Sequence, residues 1–222
     1  MTIVARTRTS QRTEPREEPR VHTRLLVVDD HAAVRAGLCQ LLDDERDFEV
    51  VADVAEAEAA MSVAEREPID VAVVDYQLGS RNGLWLSREL KRLPRPPAVL
   101  IYSAYADGVL AAAAVVAEAD GVVNKGKLGA ELLEAIRAVA RGHSRRRPLP
   151  QWLAEAVRRQ LGREEQAIFG MLLAGIERDQ IAETLNVSAA GLESTLWAML
   201  RKLEAPHAQA RIDHASPAQA AE

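Results

Sequence analysis

Five short runs, four of them apolar and one, Phe48–Val54, β-rich, separated by helical patterns, constrain this chain more than any other feature. They are Leu25–Val28, Phe48–Val54, Val71–Val74, Val99–Tyr102 and Gly121–Val123. Between them lie amphipathic stretches. Val34, Leu38, Leu41 and Leu42 share one helical face, and Leu132, Leu133, Ile136 and Val139 share another before Gly142. Runs that are apolar throughout read as strands buried on both faces. Strands alternating with helices predict an α/β unit, a parallel sheet covered by helices on both sides.

Polar residues fall at the carboxyl ends of these runs. Asp29 and Asp30 follow the first, Asp75 the third, Ser103 the fourth, and Lys125 stands just beyond the fifth. Side chains at that edge of an open α/β sheet converge on the crevice where ligands bind. Three carboxylates gathered there repel one another and call for a hard divalent cation, for which Mg²⁺ is suited. Asp75 can then act as a nucleophile toward phosphorus. Lys125 offers a compact positive charge and Ser103 a hydrogen bond to the phosphoryl oxygens. Taken singly, an Asp after a strand is an ordinary turn former or helix cap, and a Lys or Ser there is ordinary surface. The joint occurrence on successive strand ends carries the functional reading.

These residues resemble the receiver domain of two-component response regulators. Leu25-Leu26-Val27-Val28-Asp29-Asp30-His31 is similar to that family's first strand and acidic pair. Val73-Val74-Asp75 followed by Asn82-Gly83-Leu84 is similar to its phosphoacceptor strand and third helix, Ser103-Ala104-Tyr105 to its hydroxyl switch, and Lys125 to its lysine. The resemblance implies a flavodoxin-like five-stranded receiver with strand order 2-1-3-4-5. It implies phosphorylation of Asp75, with Mg²⁺ held by Asp30, Asp75 and the backbone carbonyl of Gln77, and Asp29 nearby through water. Three positions depart from the pattern. Gly79 stands where Pro is usual, Gly126 where Pro or Asp is commoner, and Val122 where an aromatic couples to the hydroxyl residue. Without that aromatic the rotamer switch of Ser103 and Val122 cannot take its standard form, and Tyr105 is the candidate substitute.

The second half of the chain changes texture. Arg145-Arg146-Arg147-Pro148-Leu149-Pro150 reads as a linker. After it come a helix over 151–160 and three more over about 163–174, 178–185 and 189–203, with Ser188 as an N-cap. Asn186-Val187-Ser188 gives helix-turn-helix spacing. This segment resembles the small all-α DNA-binding domain of the NarL/FixJ (LuxR-type) regulators, with its apolar core at Ile168, Leu172, Ile181, Leu185, Val187, Leu192, Leu196 and Leu203. The resemblance places Ala190, Glu193, Ser194, Trp197 and Arg201 on the reading face. Two positions that are basic in the family are lost there, one to Glu193. Residues 161–205 carry 4 Lys/Arg against 7 Asp/Glu, a poor footprint for a phosphate backbone. Trp197 is either packed on a neighbouring helix or an anchor for a protein partner.

The expected organisation is an arm over 1–23, a receiver over 24–143, a linker with helix over 144–160, a helix-turn-helix unit over 161–205 and a flexible tail over 206–222. Pro206 is expected to end the last helix. The 222 residues carry a net charge of −5 and one cysteine, Cys39. A lone cysteine forms no internal disulfide, which fits a reducing cytoplasm, and no apolar run is long enough to cross a membrane. Three functions compete. The first is a transcription factor controlled by a sensor histidine kinase, binding DNA as a homodimer when phosphorylated. The second is a receiver whose output unit binds a protein partner. The third is a hydrolase with an aspartate nucleophile, disfavoured because Gln77 occupies the position where such enzymes carry a second Asp.

Overall fold

A computed structural model describes residues 22–79, 81–104, 108–127, 129–143, 155, 157 and 159–204, and the helical backbone of 205–214. The arm over 1–21, the linker over 144–154 and Tyr105 lie outside the described residues. The first unit runs β1 (Thr23–Val28), α1 (Ala32–Asp43), β2 (Phe48–Val54), α2 (Ala57–Ala64), β3 (Val71–Asp75), β4 (Gln77–Leu78), β5 (Arg81–Asn82), α3 (Gly83–Leu90), β6 (Ala98–Ser103), α4 (Gly108–Val116), β7 (Gly121–Asn124) and α5 (Gly129–Ala140). The main sheet has the order β2-β1-β3-β6-β7, and every pairing in it is parallel. This is the flavodoxin-like order. The extra pair, β4 and β5, forms a small antiparallel hairpin at the carboxyl end of β3.

Side-chain alternation splits the core in two. Leu25, Val27, Val71, Val73 and Leu100 face α1 and α5, where they meet Leu38, Leu42, Leu132 and Ile136. Leu26, Val28, Ala72, Val74, Val99 and Ile101 face the other way, toward α2, α3 and α4. Strands apolar on both faces are what a two-sided cover requires.

The second unit comprises α6 (Arg163–Leu173), α7 (Arg178–Thr184) and α8 (Ala189–His214). Before them, Glu155, Val157, Arg159 and Gln160 are helical. The Ser188 hydroxyl accepts from the Gly191 amide at 3.0 Å and caps α8. Asn186, with φ of 53°, makes the turn between α7 and α8. The expectation that Pro206 ends the last helix is corrected, because α8 continues to His214. Proline removes the amide that would pair with the carbonyl of Lys202, yet the Ala, Gln and Arg that follow are good helix formers and carry the helix on.

The two units share one apolar cluster. Leu192, Leu196, Met199, Leu200 and Leu203 of α8 and Phe169 and Leu172 of α6 join the core that α4 covers. Seven of the nine residues of α4 are buried. A helix apolar on every side needs cover on every side, and here the sheet lies on one side and α6 and α8 on the other.

Gly83 shows how tightly α3 is seated. A Cβ there would lie 2.3 Å from the backbone oxygen of Asp75. Gly83→Ala therefore forces β3 and α3 apart. The expected loss is about 2 kcal/mol or more, in the range of overpacked cores, read as a lowered midpoint in urea denaturation with an unchanged slope.

Candidate phosphoacceptor site and the docked reading helix

The ends of β1, β3, β6 and β7 bring Asp29, Asp75, Ser103 and Lys125 together. Asp29, Asp75 and Ser103 are buried. Lys125 Nζ lies 2.7 Å from Asp29 Oδ2 and 2.9 Å from Asp75 Oδ2, bridging the two carboxylates. The Lys125 amide donates to the Ser103 carbonyl at 2.9 Å, tying the ends of β6 and β7. Burial pushes the Asp75 carboxyl above its ordinary value, and Lys125 offsets only part of that rise. For Lys125, burial acts to lower the ammonium pKa, but the bonds to Asp29 and Asp75 outweigh it and hold it above the usual value.

Asp30 is exposed beside these buried groups. Asp29, Asp30, His31 and Asp75 each present one ligand atom, all within 4.8 Å of one another. His31, to which sequence reasoning gave no role, has Nδ1 at 2.6 Å from Asp30 Oδ1, and its amide donates to Asp29 Oδ1 at 2.9 Å. This oxygen-rich set, with one open side, suits a hard cation that keeps several waters. Asp30 and Asp75 would hold it, with the Gln77 carbonyl adjacent on β4. The Gln77 backbone acts to lower the Asp75 carboxyl, the smallest of the influences on it.

Two departures from the family pattern have local causes. Gly79 has φ of +52°, which proline cannot adopt. The Gly126 amide donates to Asn124 Oδ1 at 2.7 Å, a bond proline would lack. Val122 is half-buried and packs in the core on the α4 side of the sheet. Lys125 lies 5.6 Å from the ring centroid of Tyr102, an aromatic neighbour that sequence reasoning did not single out.

The reading face of α8 is divided. Ala190, Ser194 and Arg201 are exposed. Glu193 and Trp197 turn toward the first unit. Glu193 meets Arg88 and Arg92 at the carboxyl end of α3, and Arg178 at 3.0 Å. Arg88 is fully buried, donates to the Val116 carbonyl at 3.1 Å and stacks 5.0 Å from the Trp197 ring centroid. At the other end of α3, Asn82 Nδ2 donates to Glu204 Oε1 at 2.6 Å. Glu193, Trp197, Leu200 and Glu204 recur at spacings that place them within roughly 60° of one another around α8. They form one stripe, laid antiparallel along α3. Arg88, Arg92, Arg178, Asn82 and Glu204 are the members that sequence reasoning missed. The stripe spacing was a visible signal, while its partners stand about a hundred residues away in the chain.

The response regulator receiver domain family matches residues 25–137, half of the chain. The chain belongs to this family. It is a response regulator of the NarL/FixJ type. The nitrate/nitrite response regulator protein NarP of Escherichia coli K12 is 32% identical over 192 residues, covering 81% of this chain and 87% of NarP. The DNA-binding transcriptional activator DevR/DosR of Mycobacterium tuberculosis H37Rv is 31% identical over 192 residues, 81% of this chain and 88% of the relative. Among solved structures, a LuxR-family response regulator from Aurantimonas sp. SI85-9A1 superposes with a TM-score of 0.53 at 30% identity, over 55% of this chain and 88% of that one.

The Glu193 cluster sets the sign of a pH effect on this response regulator. Burial acts to raise the Glu193 carboxyl, but Arg88 and Arg92 outweigh it and the net shift is downward. A lowered carboxyl stabilises the docked state above its ordinary value of about 4.3 and loses that contribution as pH falls through the lowered value. Below about pH 4 the seam should therefore loosen, seen as an increased radius of gyration in X-ray scattering. Glu193→Gln, which leaves Arg88 buried without its counter-charge, should weaken the docked state at pH 7 by about 3 kcal/mol.

Proposed function

We propose that this response regulator accepts a phosphoryl group on Asp75 from a sensor histidine kinase, in a reaction that requires Mg²⁺, and thereby controls transcription through its helix-turn-helix unit. The observation that carries the reading is a buried Asp75 set between Lys125 and an acidic pair, at the end of a parallel strand. A carboxylate oxygen of Asp75 attacks phosphorus, the P–N bond of a phosphohistidine breaks, and the histidine nitrogen recovers its proton from solvent. An acyl phosphate results. Mg²⁺ supplies charge neutralisation when bound. Lys125 stands where it can pair with the phosphoryl oxygens, and Ser103 is at the adjacent strand end. No helix among the described residues is long and apolar enough to cross a membrane.

DNA enters this proposal through an opened form. In the docked arrangement Glu193 and Trp197 are engaged by Arg88, so the whole reading face is available only when α8 leaves α3. By the resemblance to this family, the phosphorylated chain reads paired half-sites as a homodimer. One observation favours a second reading, in which the output unit binds protein: the Glu193, Trp197, Leu200 and Glu204 stripe already fits a protein surface, that of this chain's own receiver.

Asp75→Asn should abolish labelling by a small phosphodonor in Mg²⁺, and retained labelling would mean the nucleophile is misassigned. Asp30→Ala should weaken Mg²⁺ binding by about tenfold or more, in line with loss of a charged ligand, measured by titration of tryptophan emission. A low-salt mobility-shift titration separates the two outputs. DNA retarded by the phosphorylated chain supports the first, and no retardation on promoter or random fragments leaves the second.

A further inference from the structure

The β4–β5 hairpin touches both the phosphoacceptor and the output unit. At one end, Gln77 opens β4 two residues after Asp75, the last residue of β3. Gln77 is the direct cross-strand partner of Asn82. At the other end, Asn82 does two things with one amide group. Its Oδ1 accepts from the Trp85 amide at 2.9 Å, capping α3, and its Nδ2 donates to Glu204 at 2.6 Å. The cap fixes the plane of the amide, so the donor is aimed at Glu204 only while α3 and the hairpin keep their present placement. Gly83 adds stiffness. Its amide donates to the Tyr76 carbonyl at 2.8 Å, and the close approach at its Cα leaves no slack between α3 and β3.

We propose that the chemical state of Asp75 reaches the helix-turn-helix unit through this hairpin, by way of the Gln77–Asn82 pair and the Asn82–Glu204 hydrogen bond. The inference rests on the reading of Asp75 as phosphoacceptor and adds the route by which that event is felt. Conversion of the Asp75 carboxylate to an acyl phosphate adds charge and bulk two residues from Gln77. The hairpin resettles, and the Asn82 amide turns from Glu204. There is room for it to move, because a groove of about 420 Å³ lies between hairpin and α8, lined by Arg81, Trp85, Trp197 and Arg201. The charge cluster around Glu193 sits at the far end of the stripe, away from the hairpin that follows Asp75. Val122, an aliphatic side chain packed in the core, offers no polar group or aromatic ring through which β7 could report on Ser103. Two sites that bias one two-state element are coupled reciprocally.

The test uses the full chain with Trp152 replaced by Phe, so that Trp85 and Trp197 at the seam report on it. Beryllofluoride with Mg²⁺ serves as the phosphoryl mimic. In the parent chain its binding should shift tryptophan emission. Glu204→Ala should bind it about 5-fold or more tightly, as reciprocity demands of a contact that opposes it, with less than half the emission change remaining. Glu204→Gln keeps an acceptor oxygen and should restore parent behaviour. Asn82→Asp keeps the cap acceptor, lacks the donor, and should reproduce Glu204→Ala. Parent-like titrations of both Glu204→Ala and Asn82→Asp overturn the route. If the parent itself neither binds the mimic nor labels on Asp75, the phosphoacceptor reading fails. Amide hydrogen exchange then settles the mechanical link: faster exchange at Gln77 and Gly83 in Glu204→Ala supports it, and unchanged rates reject it.

Discussion

Lys125 makes the first unit possible in the form it takes. Two carboxylates, Asp29 and Asp75, are buried at neighbouring strand ends, where each alone is costly and together they repel. One ammonium reaches both, and it arrives because the end of β7 is tied to Ser103 through backbone. The sheet order matters for the same reason. β1 and β6 flank β3, and β7 borders β6, so an acid, a hydroxyl and a base meet at a single edge. The arrangement is poised rather than relaxed, since burial still holds the Asp75 carboxyl above its ordinary value despite its partner.

The seam between the units repeats this logic with signs exchanged. Arg88 is buried outright, and one carboxylate, Glu193, answers it while also meeting Arg92 and Arg178. The acid that spoils a surface for phosphates is what the buried Arg88 of α3, with Arg92 just beyond it, requires. A helix that resembles a DNA-reading element therefore has a second fit, to the receiver of its own chain. Apolar side chains of α4, α6 and α8 pack together across the seam, while the charges and the Asn82 bond fix register, the division of labour common to packed interfaces.

Much of this was legible in the residues. Strands buried on both faces write themselves as unbroken apolar runs, and the polar residue that ends each run marks the ligand edge. Asp29, Asp75, Ser103 and Lys125 were visible in that way. Other features were not. Arg88 looks like surface charge on an amphipathic helix, and only a partner 105 residues onward makes it interior. The alanine string of α4 has no periodicity to read, because it is covered on all sides. Pro206 argued for a helix end that backbone propensity on its far side overrode. The hairpin of β4 and β5 is too short for any pattern to register, although its residues were noted for other reasons.

The two-sided burial of α4 has a thermal consequence. Undocking α8 would wet a wall of alanine, valine and leucine, and wetting such surface raises heat capacity. Closure is then favoured by warmth over the range in which apolar association strengthens with temperature, and cooling relaxes it. The docked arrangement of this chain therefore carries a built-in thermal bias.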